Sequence, residues 1–490
     1  MFGELSFRDG VPVSLQIKEY IRGLILSGML RGGEKLPSTR ELGSMLGVSR
    51  NSVMRAYEEL EDDGFLYSIE SKGSFVQDVR ISAPAGTHEE WNVDWTSRKS
   101  GAAVIAEQFD IIRNTVRTGK DVISFRGISP DRELSDVEGI KRAFLNILSK
   151  EGQNILNYGY AKGYKPLGDY LLQYMRSKGI DTEGKDIIIT NGFTEGFDIV
   201  LSTVCEEGDS IVCENPTHNT AIKIMKLHGL KIHGADMEHD GIGLERLEAV
   251  LDNCKPRLGY MVPSYHNPTG IVMSPEKRIG AYEIFRRHGV PVVEDGFNEE
   301  LRYSGAHIPP IAALCGKGNG MIYIGSFSKI LFPGIRLGWI LADRELVSTI
   351  ESVKKSRNIH TSFLDQAVLY EYLYEGNLER CIKKSRRVYG ERYKVALECA
   401  KRYIPHESMS GDGGMYIFVK LGSGIDTEEL LLLCREKGVI FMPGRMFYTD
   451  GRGGDTMRLS FANVKSRDIE EGFRIIGETV RELTREKGQG

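Results

Sequence analysis

Residues 323–339 concentrate side chains that could hold a phosphate beside a reactive amine. Ser326 and Ser328 supply hydroxyl donors, and Arg336 supplies a planar guanidinium whose fork suits a phosphate. Lys329 lies among them, and a lysine that is removed from water can condense with an aldehyde. The cofactor that combines a phosphate with an aldehyde is pyridoxal phosphate, so this stretch predicts a site for it. The simpler alternative is a solvated loop lysine, the commonest state of a single lysine.

The spacing of these residues favours the cofactor site over the solvated lysine. Ser, Ser-Lys, Pro-Gly, Arg and Gly-Trp follow one another within a single turn, and a solvated lysine explains none of the others. The set resembles the Ser-x-Ser-Lys-x-x-x-Pro-Gly-x-Arg-x-Gly signature of fold-type I aminotransferases. That resemblance implies that Lys329 binds pyridoxal phosphate as an internal aldimine, while Ser326, Ser328 and Arg336 hold its phosphate.

The elements around this stretch predict an α/β domain. From about residue 119 onward, strand-like apolar runs alternate with helical patterns, which indicates a mixed sheet covered by helices. The runs are 186–190, 210–213, 259–262, 291–295 and 321–324. Ligands of open α/β sheets bind beyond the carboxyl ends of the strands, where the other candidate residues fall. The resemblance adds a small C-terminal α+β subdomain to this large fold-type I domain.

Three polar residues have counterparts in the family. Asp295 ends an otherwise apolar run, so we expect it to be buried beside a cation, which a protonated pyridine nitrogen would supply. The alternative for Asp295 is a helix N-cap. Asn267 lies in an Asn-Pro-x-Gly turn, and the resemblance implies that it bonds the 3-oxygen of the cofactor. Arg458 resembles the arginine that binds a substrate α-carboxylate, with an ordinary salt bridge as the alternative.

The remaining candidates match the family less closely. Phe193 and Thr194 open a helix after a strand, so backbone amides there, with the Thr194 hydroxyl, are expected to bind an anion. His218 stands where the family usually stacks Tyr or Trp on the pyridine, although an ordinary core or surface histidine explains it equally well. Tyr158 resembles the tyrosine that reaches the phosphate in the partner subunit, which implies a homodimer. Phe297 replaces a tyrosine that bonds the 3-oxygen in related regulators, which should alter the chemistry past the external aldimine.

The first 80 residues carry a separate pattern. Apolar residues at helical spacing between 11 and 29 predict one helix, and two short helices follow that are capped by Ser38 and Ser49. Gly47 separates these two helices, and residues 65–76 predict a two-stranded hairpin. The ordered set resembles the GntR-type winged helix-turn-helix, whose recognition helix enters the major groove by its N-terminal end.

This resemblance implies a DNA-binding surface at the start of the recognition helix. Basic and polar residues cluster there, whereas acidic residues crowd the far end, which orients the helix toward phosphates and bases. The alternative is a three-helix module that contacts proteins through ordinary surface charges. The residues expected to contact DNA are Arg40, Ser49, Arg50, Asn51, Ser52 and Lys72.

Length and composition limit the other possibilities. A chain of 490 residues is too long for one core, and we expect a DNA-binding domain in 1–80, a linker in 81–118 and the pyridoxal phosphate domain in 119–490. Trp91 and Trp95 suggest that the second part of the linker packs on the following domain. A net charge of −4 gives no overall attraction to nucleic acid, so DNA binding needs a local patch. Scattered cysteines without a CxxC pair, and the lack of a signal or membrane segment, favour a reduced cytoplasmic protein with no metal site.

The order of the two parts resembles the MocR/GabR family of bacterial transcription regulators. This implies a head-to-tail homodimer that binds a double-stranded DNA operator and senses an amine or amino acid by forming an external aldimine at Lys329. The alternative is an active pyridoxal phosphate-dependent aminotransferase with an accessory DNA-binding domain, since Lys329, Asp295 and Arg458 suffice for a half-reaction. Phe297 and the intact DNA-reading residues favour the regulator.

Overall fold

The computed structural model describes residues 5–78, 92–114, 122–422 and 424–488. The chain divides into two compact units, Met1–Trp95 and Thr96–Gly490, and each has a hydrophobic core of its own. Within the described ranges, no helix combines the length and the apolar character needed to span a bilayer.

The first unit is a winged helix, as the sequence predicts. It contains α1 (Val13–Leu26), α2 (Thr39–Leu46), α3 (Arg50–Asp62) and a hairpin of β1 (Leu66–Ile69) and β2 (Gly73–Val76). The predicted Ser38 cap at the start of α2 is confirmed, and Glu41 completes a capping box: Ser38 Oγ accepts from the Glu41 amide, and the Glu41 carboxylate accepts from the Ser38 amide. Gly47 ends α2 in the left-handed region at φ +66°, so α3 can pack across it.

A helix that the sequence analysis did not predict opens the second unit. Helix α4 (Gly101–Asn114) lies in the second part of the predicted linker and is followed by the short strand β3 (Ile123–Ser124). The expected packing of this part on the following domain is observed, since Phe109 lies beneath the Lys226 ammonium at 5.2 Å. The Trp95 side chain is largely exposed. Trp91 and residues 81–91 and 115–118 of the predicted linker lie outside the described ranges.

Alternating helices and strands follow, and the five predicted runs are all strands. The helices are α5 (Val137–Glu151), α6 (Lys165–Ser177), α7 (Phe193–Val204), α8 (Asn219–Leu227), α9 (Leu244–Cys254), α10 (Pro275–His288), α11 (Arg344–Asn358) and α12 (Phe363–Tyr374). The strands are β4 (Lys185–Thr190), β5 (Ser210–Asn215), β6 (Lys231–Glu238), β7 (Gly241–Ile242), β8 (Leu258–Met261), β9 (Val292–Asp295), β10 (Met321–Ser326) and β11 (Gly338–Asp343).

These strands form one sheet in the order β4-β11-β10-β9-β8-β5-β6-β7. Strands β10, β9, β8, β5 and β6 are parallel, and β11 is antiparallel to both β10 and β4. The carboxyl ends of β4, β5, β8, β9 and β10 therefore meet along one edge. Both faces are buried, because Ile187 and Ile189 pack into one core and Ile188 packs into the core on the opposite face.

The last part of the chain forms a small α+β layer. Its elements are α13 (Asn377–Tyr403), β12 (Ser408–Ser410), β13 (Tyr416–Lys420), α14 (Thr427–Glu436), β14 (Val439–Ile440), β15 (Met442–Pro443), β16 (Thr456–Ser460) and α15 (Ser466–Gly488). Strands β12, β13, β16 and β15 form one sheet in that order, while β14 pairs with β3. One face of this sheet packs on α13 and α15, which leaves the side chains of the other face for a cleft.

Candidate active site

The candidate residues follow the strands whose carboxyl ends share one edge of the large sheet. Asp295 ends β9, and the turn that carries Lys329 follows β10. Segments after β4, β5 and β8 supply Phe193, His218 and Asn267 in the same way. Since parallel strands bring such segments together, residues from distant parts of the sequence line a single cleft.

Lys329 lies in this cleft with a perturbed amine. Burial lowers the pKa of Lys329 to about 8, and the positive charges of Arg458 and Arg336 act in the same direction. Asp295 opposes them, because a negative charge favours the ammonium form. A larger fraction of Lys329 is therefore the neutral amine near neutral pH than of an ordinary lysine, which is the form that attacks an aldehyde.

A cradle for a phosphate lies next to Lys329. Ser326 Oγ accepts from the Ser328 amide at 3.2 Å, and Arg336 Nη1 donates to Ser328 Oγ at 3.4 Å. Arg336 Nη2 donates to the Asn191 carbonyl at 2.9 Å, which joins the turn after β10 to the turn after β4. Gly192 has φ +80°, and a Cβ there would lie 3.1 Å from Arg336 Nη2, so glycine suits this contact.

The first turn of α7 borders the same cradle. Phe193 is the first residue of α7, and its amide belongs to the group of N–H bonds that a helix leaves unpaired at its start. The Phe193 ring is buried and stacks on Phe197 with centroids 5.6 Å apart, so the side chain anchors the start of the helix, and binding of an anion by its backbone amide stays a prediction. The Thr194 side chain is exposed, and its predicted hydroxyl contact stays a prediction.

Asp295 is a buried carboxylate with one unused oxygen. The Tyr260 hydroxyl donates to Oδ2 at 2.8 Å, and His218 Nδ1 lies 3.7 Å from the same oxygen. Asp295 Oδ1 has no hydrogen-bond partner among the described residues. A buried carboxylate oxygen without a partner is costly, so this atom is suited to a cationic N–H of a ligand. The predicted pairing with a pyridinium nitrogen therefore fits the geometry. The alternative of a helix N-cap does not, because no helix begins directly after Asp295.

His218 packs between aromatic rings at the same place. Its ring is nearly parallel to Phe297, with an interplanar angle of 11° and centroids 5.8 Å apart, and the Phe193 ring lies 5.3 Å from it. This packing is compatible both with an ordinary core histidine and with a histidine that stacks on the cofactor. Stacking of His218 on a cofactor therefore stays a prediction. Phe297 is buried and offers no hydroxyl to the cleft.

Arg458 is a buried cation without a buried counter-charge. Its Nη1 donates to Asn267 Oδ1 at 2.8 Å, its Nη2 donates to the Arg126 carbonyl at 2.9 Å, and Tyr416 and Phe447 rings lie 5.3 and 5.0 Å from its Cζ. Burial lowers the pKa of Arg458 to about 10, and the acidic side chains of the described ranges form no ion pair with it. A cation in this state is ready to bind an incoming anion, which speaks against the ordinary salt bridge.

The turn that holds Asn267 is itself fixed by buried polar contacts. His266 Nδ1 lies 2.8 Å from Thr269 Oγ1, and burial lowers the pKa of His266 to about 3, so the ring is neutral. Both carboxylate oxygens of Glu214 accept from the Val262 amide at 3.0 Å, which holds the end of β8 against β5. Asn267 Nδ2 remains without a partner among the described residues and faces the site as a donor.

Sequence reasoning missed three residues of the cleft. Tyr260 and Tyr416 lie in buried strands, where a tyrosine is easily taken for part of the apolar core, yet each hydroxyl needs a partner. The Tyr416 hydroxyl donates to the Tyr265 carbonyl at 2.8 Å and accepts from Asn298 Nδ2 at 3.2 Å. Asn298 lies three positions after Asp295, and a polar residue so near a predicted site residue was the available signal.

Tyr158 lies away from the contacts just described. Its side chain is largely exposed, and its ring meets His360 edge-on with centroids 6.0 Å apart. An exposed tyrosine is compatible with the predicted reach into a partner subunit, which stays a prediction.

The winged helix presents its own candidate surface at the start of α3. Ser49 Oγ accepts from the Ser52 amide at 3.1 Å, so these two residues form the N-cap of the helix. Arg50 is exposed and donates weakly to Thr39 Oγ1 at 3.4 Å, and Asn51 is also exposed. Arg40 and the wing residue Lys72 are likewise exposed. Of the predicted contact residues only Ser52 is half-buried, and the individual roles of all six stay predictions.

Comparison with known proteins identifies both parts. The model of the family aminotransferase class I and II matches residues 129–476. The chain belongs to this family. The model of the family bacterial regulatory proteins, gntR family, matches residues 13–76, so the winged helix is a GntR-type domain. The GntR-type domain and the aminotransferase domain occur in the order that the sequence predicts.

Relatives fall into two groups. The 2-aminoadipate transaminase of Thermus thermophilus is 32% identical over 378 residues, which cover 76% of this chain and 93% of the relative. The probable rhizopine catabolism regulatory protein MocR of Rhizobium meliloti is 28% identical over 474 residues, which cover 95% of this chain and 93% of the relative. The crystal structure of LysN, an α-aminoadipate aminotransferase of Thermus thermophilus complexed with N-(5'-phosphopyridoxyl)-L-leucine, is 30% identical with a TM-score of 0.72. The match covers 80% of this chain and 100% of the LysN chain.

The cofactor of the aminotransferase class I and II family is pyridoxal phosphate. When bound, it supplies an aldehyde that condenses with amines and a ring that withdraws electrons. The residues present fit this group: Asp295 Oδ1 and Asn267 Nδ2 are buried without partners, and Lys329 carries an activated amine. Asp295 would hold the ring nitrogen and Asn267 the ring oxygen, while the cradle around Ser328 would hold the phosphate.

Proposed function

We propose that this protein is a pyridoxal phosphate-dependent transcription regulator. The GntR-type domain binds double-stranded DNA, and an amine or amino acid that occupies the Lys329 site changes the DNA affinity. One observation supports this proposal: a GntR-type domain and an aminotransferase class I and II domain occur in a single chain whose regulator relatives match it at nearly full length.

Different residues of the cleft would bind different groups of the ligand and of the cofactor. Arg458 would bind the carboxylate of an amino acid, because its buried guanidinium has no carboxylate partner of its own among the described residues. Lys329 Nζ would release or take up a proton at the amine of the ligand, which its lowered pKa permits near neutral pH. Ser326, Ser328 and Arg336 would keep the phosphate in place while this happens.

A homodimer is part of the proposal. Exposed apolar side chains lie on α5, on the segment after it and on α12, elements that pack on one another, and exposed apolar surface supports an interface there. They include Phe144, Leu145, Leu156, Tyr160 and Tyr374. A second copy on this face would bring its Tyr158 toward the phosphate cradle, and two GntR-type domains would then bind two half-sites.

The test combines DNA affinity with ligand binding. The full-length protein is used to select fragments from genomic DNA, and fluorescence anisotropy then gives the Kd for a selected fragment with and without a panel of amino acids and amines. We expect one or a few ligands to change this Kd. Lys329→Ala should bind the same DNA but lose the response to the ligand. A wild-type protein that selects no DNA, or an unchanged ligand response in Lys329→Ala, would rule the proposal out.

A second candidate function is transamination. The Thermus thermophilus relative is a named transaminase, and Lys329, Asp295, Asn267 and Arg458 are all present in the arrangement described above. The measurement is release of a keto acid from the effector amino acid, followed over hours together with the absorbance of the bound cofactor. Sustained turnover with a second keto acid would show that transamination, rather than regulation, is the main function. Binding that changes the DNA affinity without keto-acid release supports the regulator.

A further inference from the structure

Glu195 holds the turn that carries Asn191. It lies in the first turn of α7, where its Oε2 accepts from the Asn191 amide and its Oε1 accepts from Asn191 Nδ2 at 3.0 Å. The Asn191 carbonyl accepts from Arg336 Nη2 at 2.9 Å. Asn191 is therefore bonded both to a carboxylate and to a guanidinium, so a displacement of Glu195 would also move the partner of Arg336 in the phosphate cradle.

Lys354 is a buried lysine beside this carboxylate. Its side chain on α11 is 0% exposed, and its Nζ lies 3.7 Å from Glu195 Oε1. Nζ donates to Asn358 Oδ1 at 2.9 Å, while Asn358 Nδ2 donates to Glu195 Oε1. Burial lowers the pKa of Lys354, and the negative charge of Glu195 opposes this shift. Asn358 thus joins the ammonium to the carboxylate with one hydrogen bond to each.

Packing does not explain a lysine at position 354. Val347 and Ile350 lie on the same face of α11 and belong to a buried core, so an apolar side chain at 354 would continue that face. A fully buried ammonium is costly, and the next residue, Lys355, is exposed as lysines usually are. The positive charge is therefore what the lysine adds at this position.

The charge of Glu195 is unfavourable for a phosphate bound nearby. Glu195 lies in the first turn of the helix whose N-terminal amides are predicted to bind that phosphate. A phosphate ester carries about two negative charges near neutral pH, and a neighbouring carboxylate repels it. An ammonium beside Glu195 compensates the carboxylate, which can then keep its two hydrogen bonds to Asn191 at a smaller cost to phosphate binding.

We propose that Lys354 is a positioning residue for the phosphate cradle. By compensating Glu195, it keeps Asn191 in place for Arg336 and allows a phosphate to bind in the same turn as a carboxylate. This inference rests on the proposed function, since it assumes that Arg336 and the first turn of α7 hold the cofactor phosphate. Lys354 acts through Glu195 and Asn191 and is not a catalytic residue.

The test compares pyridoxal phosphate with pyridoxal, which lacks the phosphate. The full-length protein, freed of cofactor, is titrated with each ligand, and absorbance gives the two Kd values. The Kd of pyridoxal divided by the Kd of pyridoxal phosphate is the phosphate preference, from which contacts shared by both ligands cancel. In Lys354→Met we expect this preference to fall about tenfold, through weaker binding of pyridoxal phosphate alone.

A rescue variant separates this role from a merely structural one. Lys354→Met combined with Glu195→Gln removes both charges, and the glutamine oxygen can still accept from Asn191. Because a neutral pair can replace a buried ion pair at little cost, the phosphate preference should return to within about threefold of wild type. A loss of packing at position 354 would not be repaired by a second change at Glu195.

Asn358→Ala is a second test that keeps both Lys354 and Glu195. It removes the side chain that bonds to each of them, so the phosphate preference should fall by about threefold. Lys355→Met is the matched control, since Lys355 is exposed and adjacent to Lys354 on α11. This variant should keep the phosphate preference of the wild-type protein.

Three outcomes would overturn the proposal. They are an unchanged phosphate preference in Lys354→Met, an equal loss for both ligands in that variant, and a double variant no better than Lys354→Met. If Lys354→Met does not fold, an unchanged phosphate preference in Asn358→Ala overturns the proposal instead.

Failure of this inference can be separated from failure of the proposed function. Arg336→Lys should also lower the phosphate preference, because Arg336 belongs to the cradle itself. If it does so while Lys354→Met keeps the wild-type preference, Lys354 has no positioning role and the cradle stands. If Arg336→Lys leaves the preference unchanged, the phosphate contacts assumed in the proposed function are wrong.

Discussion

Arg458 Nη1 donates a 2.8 Å hydrogen bond to Asn267 Oδ1, which leaves the amide nitrogen of Asn267 directed away from Arg458 and without a partner among the described residues. The amide oxygen of Asn267 thus accepts from Arg458, the residue proposed to bind the ligand carboxylate. The amide nitrogen of Asn267 stays available to donate to the cofactor ring, as proposed. If Arg458 binds a carboxylate and Asn267 bonds the cofactor ring, as proposed, the two binding events would be coupled through Asn267.

Asn267→Ala should weaken both partners at once. The substitution leaves a buried guanidinium N–H without its acceptor, which costs roughly 1–3 kcal/mol, and it removes the donor for the ring oxygen. We expect about tenfold weaker binding of the effector amino acid, together with a shifted absorbance of the bound cofactor. Asn253→Ala is the control, since Asn253 is exposed and donates only to the Ala249 carbonyl within α9. An unchanged cofactor spectrum in Asn267→Ala would contradict the proposed ring contact.

Replacing the amine of Lys329 should stabilise the cofactor-free protein in a pH-dependent way. Burial lowers the pKa of Lys329 from 10.5 to about 8, so the unfolded chain binds more protons between these values and stability rises with pH across them. Below about pH 8 the folded protein bears the full cost of a buried ammonium. Lys329→Met should therefore be more stable than wild type at pH 7 by roughly 1–3 kcal/mol, and the difference should shrink toward pH 10.

Chemical denaturation of both cofactor-free proteins at pH 7 and pH 10 measures this effect. Comparison of the two proteins at each pH cancels the titration of all other groups. A difference that stays constant between pH 7 and pH 10 would show that Lys329 has an ordinary pKa in the folded protein.

Arg336→Lys should weaken cofactor binding although it keeps the charge. Lysine cannot replace the two directions in which Arg336 donates, to Ser328 Oγ and to the Asn191 carbonyl. We expect a loss of about ten- to a hundredfold in pyridoxal phosphate affinity, measured by equilibrium dialysis. Arg344→Lys, at the exposed start of α11, should bind the cofactor as wild type does. If both variants bind equally well, the phosphate is held elsewhere.

Arg50→Ala should weaken DNA binding without changing the cofactor spectrum. Arg50 is exposed at the N-terminal end of α3, and loss of one phosphate contact should reduce the slope of log Kd against log salt by about 0.9. Arg55→Ala is the matched control within the same helix, because Arg55 is paired with Glu59 at 3.0 Å and should contribute less. Equal effects of the two variants would mean that the helix does not approach DNA by its N-terminal end.

Much of the site could be predicted because its residues are grouped locally. Ser326, Ser328, Lys329 and Arg336 lie in one turn, and their types and spacing, together with the resemblance to the aminotransferase signature, predict a pyridoxal phosphate site. Asp295 was found in the same local way, from a single charge at the end of an apolar run.

Other parts depend on contacts between distant segments, which spacing along the chain does not reveal. Tyr416 meets Asn298 across 118 positions, and Arg458 meets Asn267 across 191. A tyrosine in a buried strand reads as core until its hydroxyl partner is known, and Tyr260 beside Asp295 was missed for this reason. Helix α4 was missed because it lies in a segment whose composition resembles a linker.

The cleft draws its residues from segments that extend from Asn191 to Arg458, whereas the GntR-type domain is built from neighbours in the first 80 residues. Contacts of short sequence separation form quickly, and N-terminal domains fold first during synthesis. A chain that is still being translated therefore has a finished DNA-reading surface long before the strand that carries Arg458 has been made. If the proposed function holds, each newly made molecule would have its DNA-reading surface before its effector site is complete.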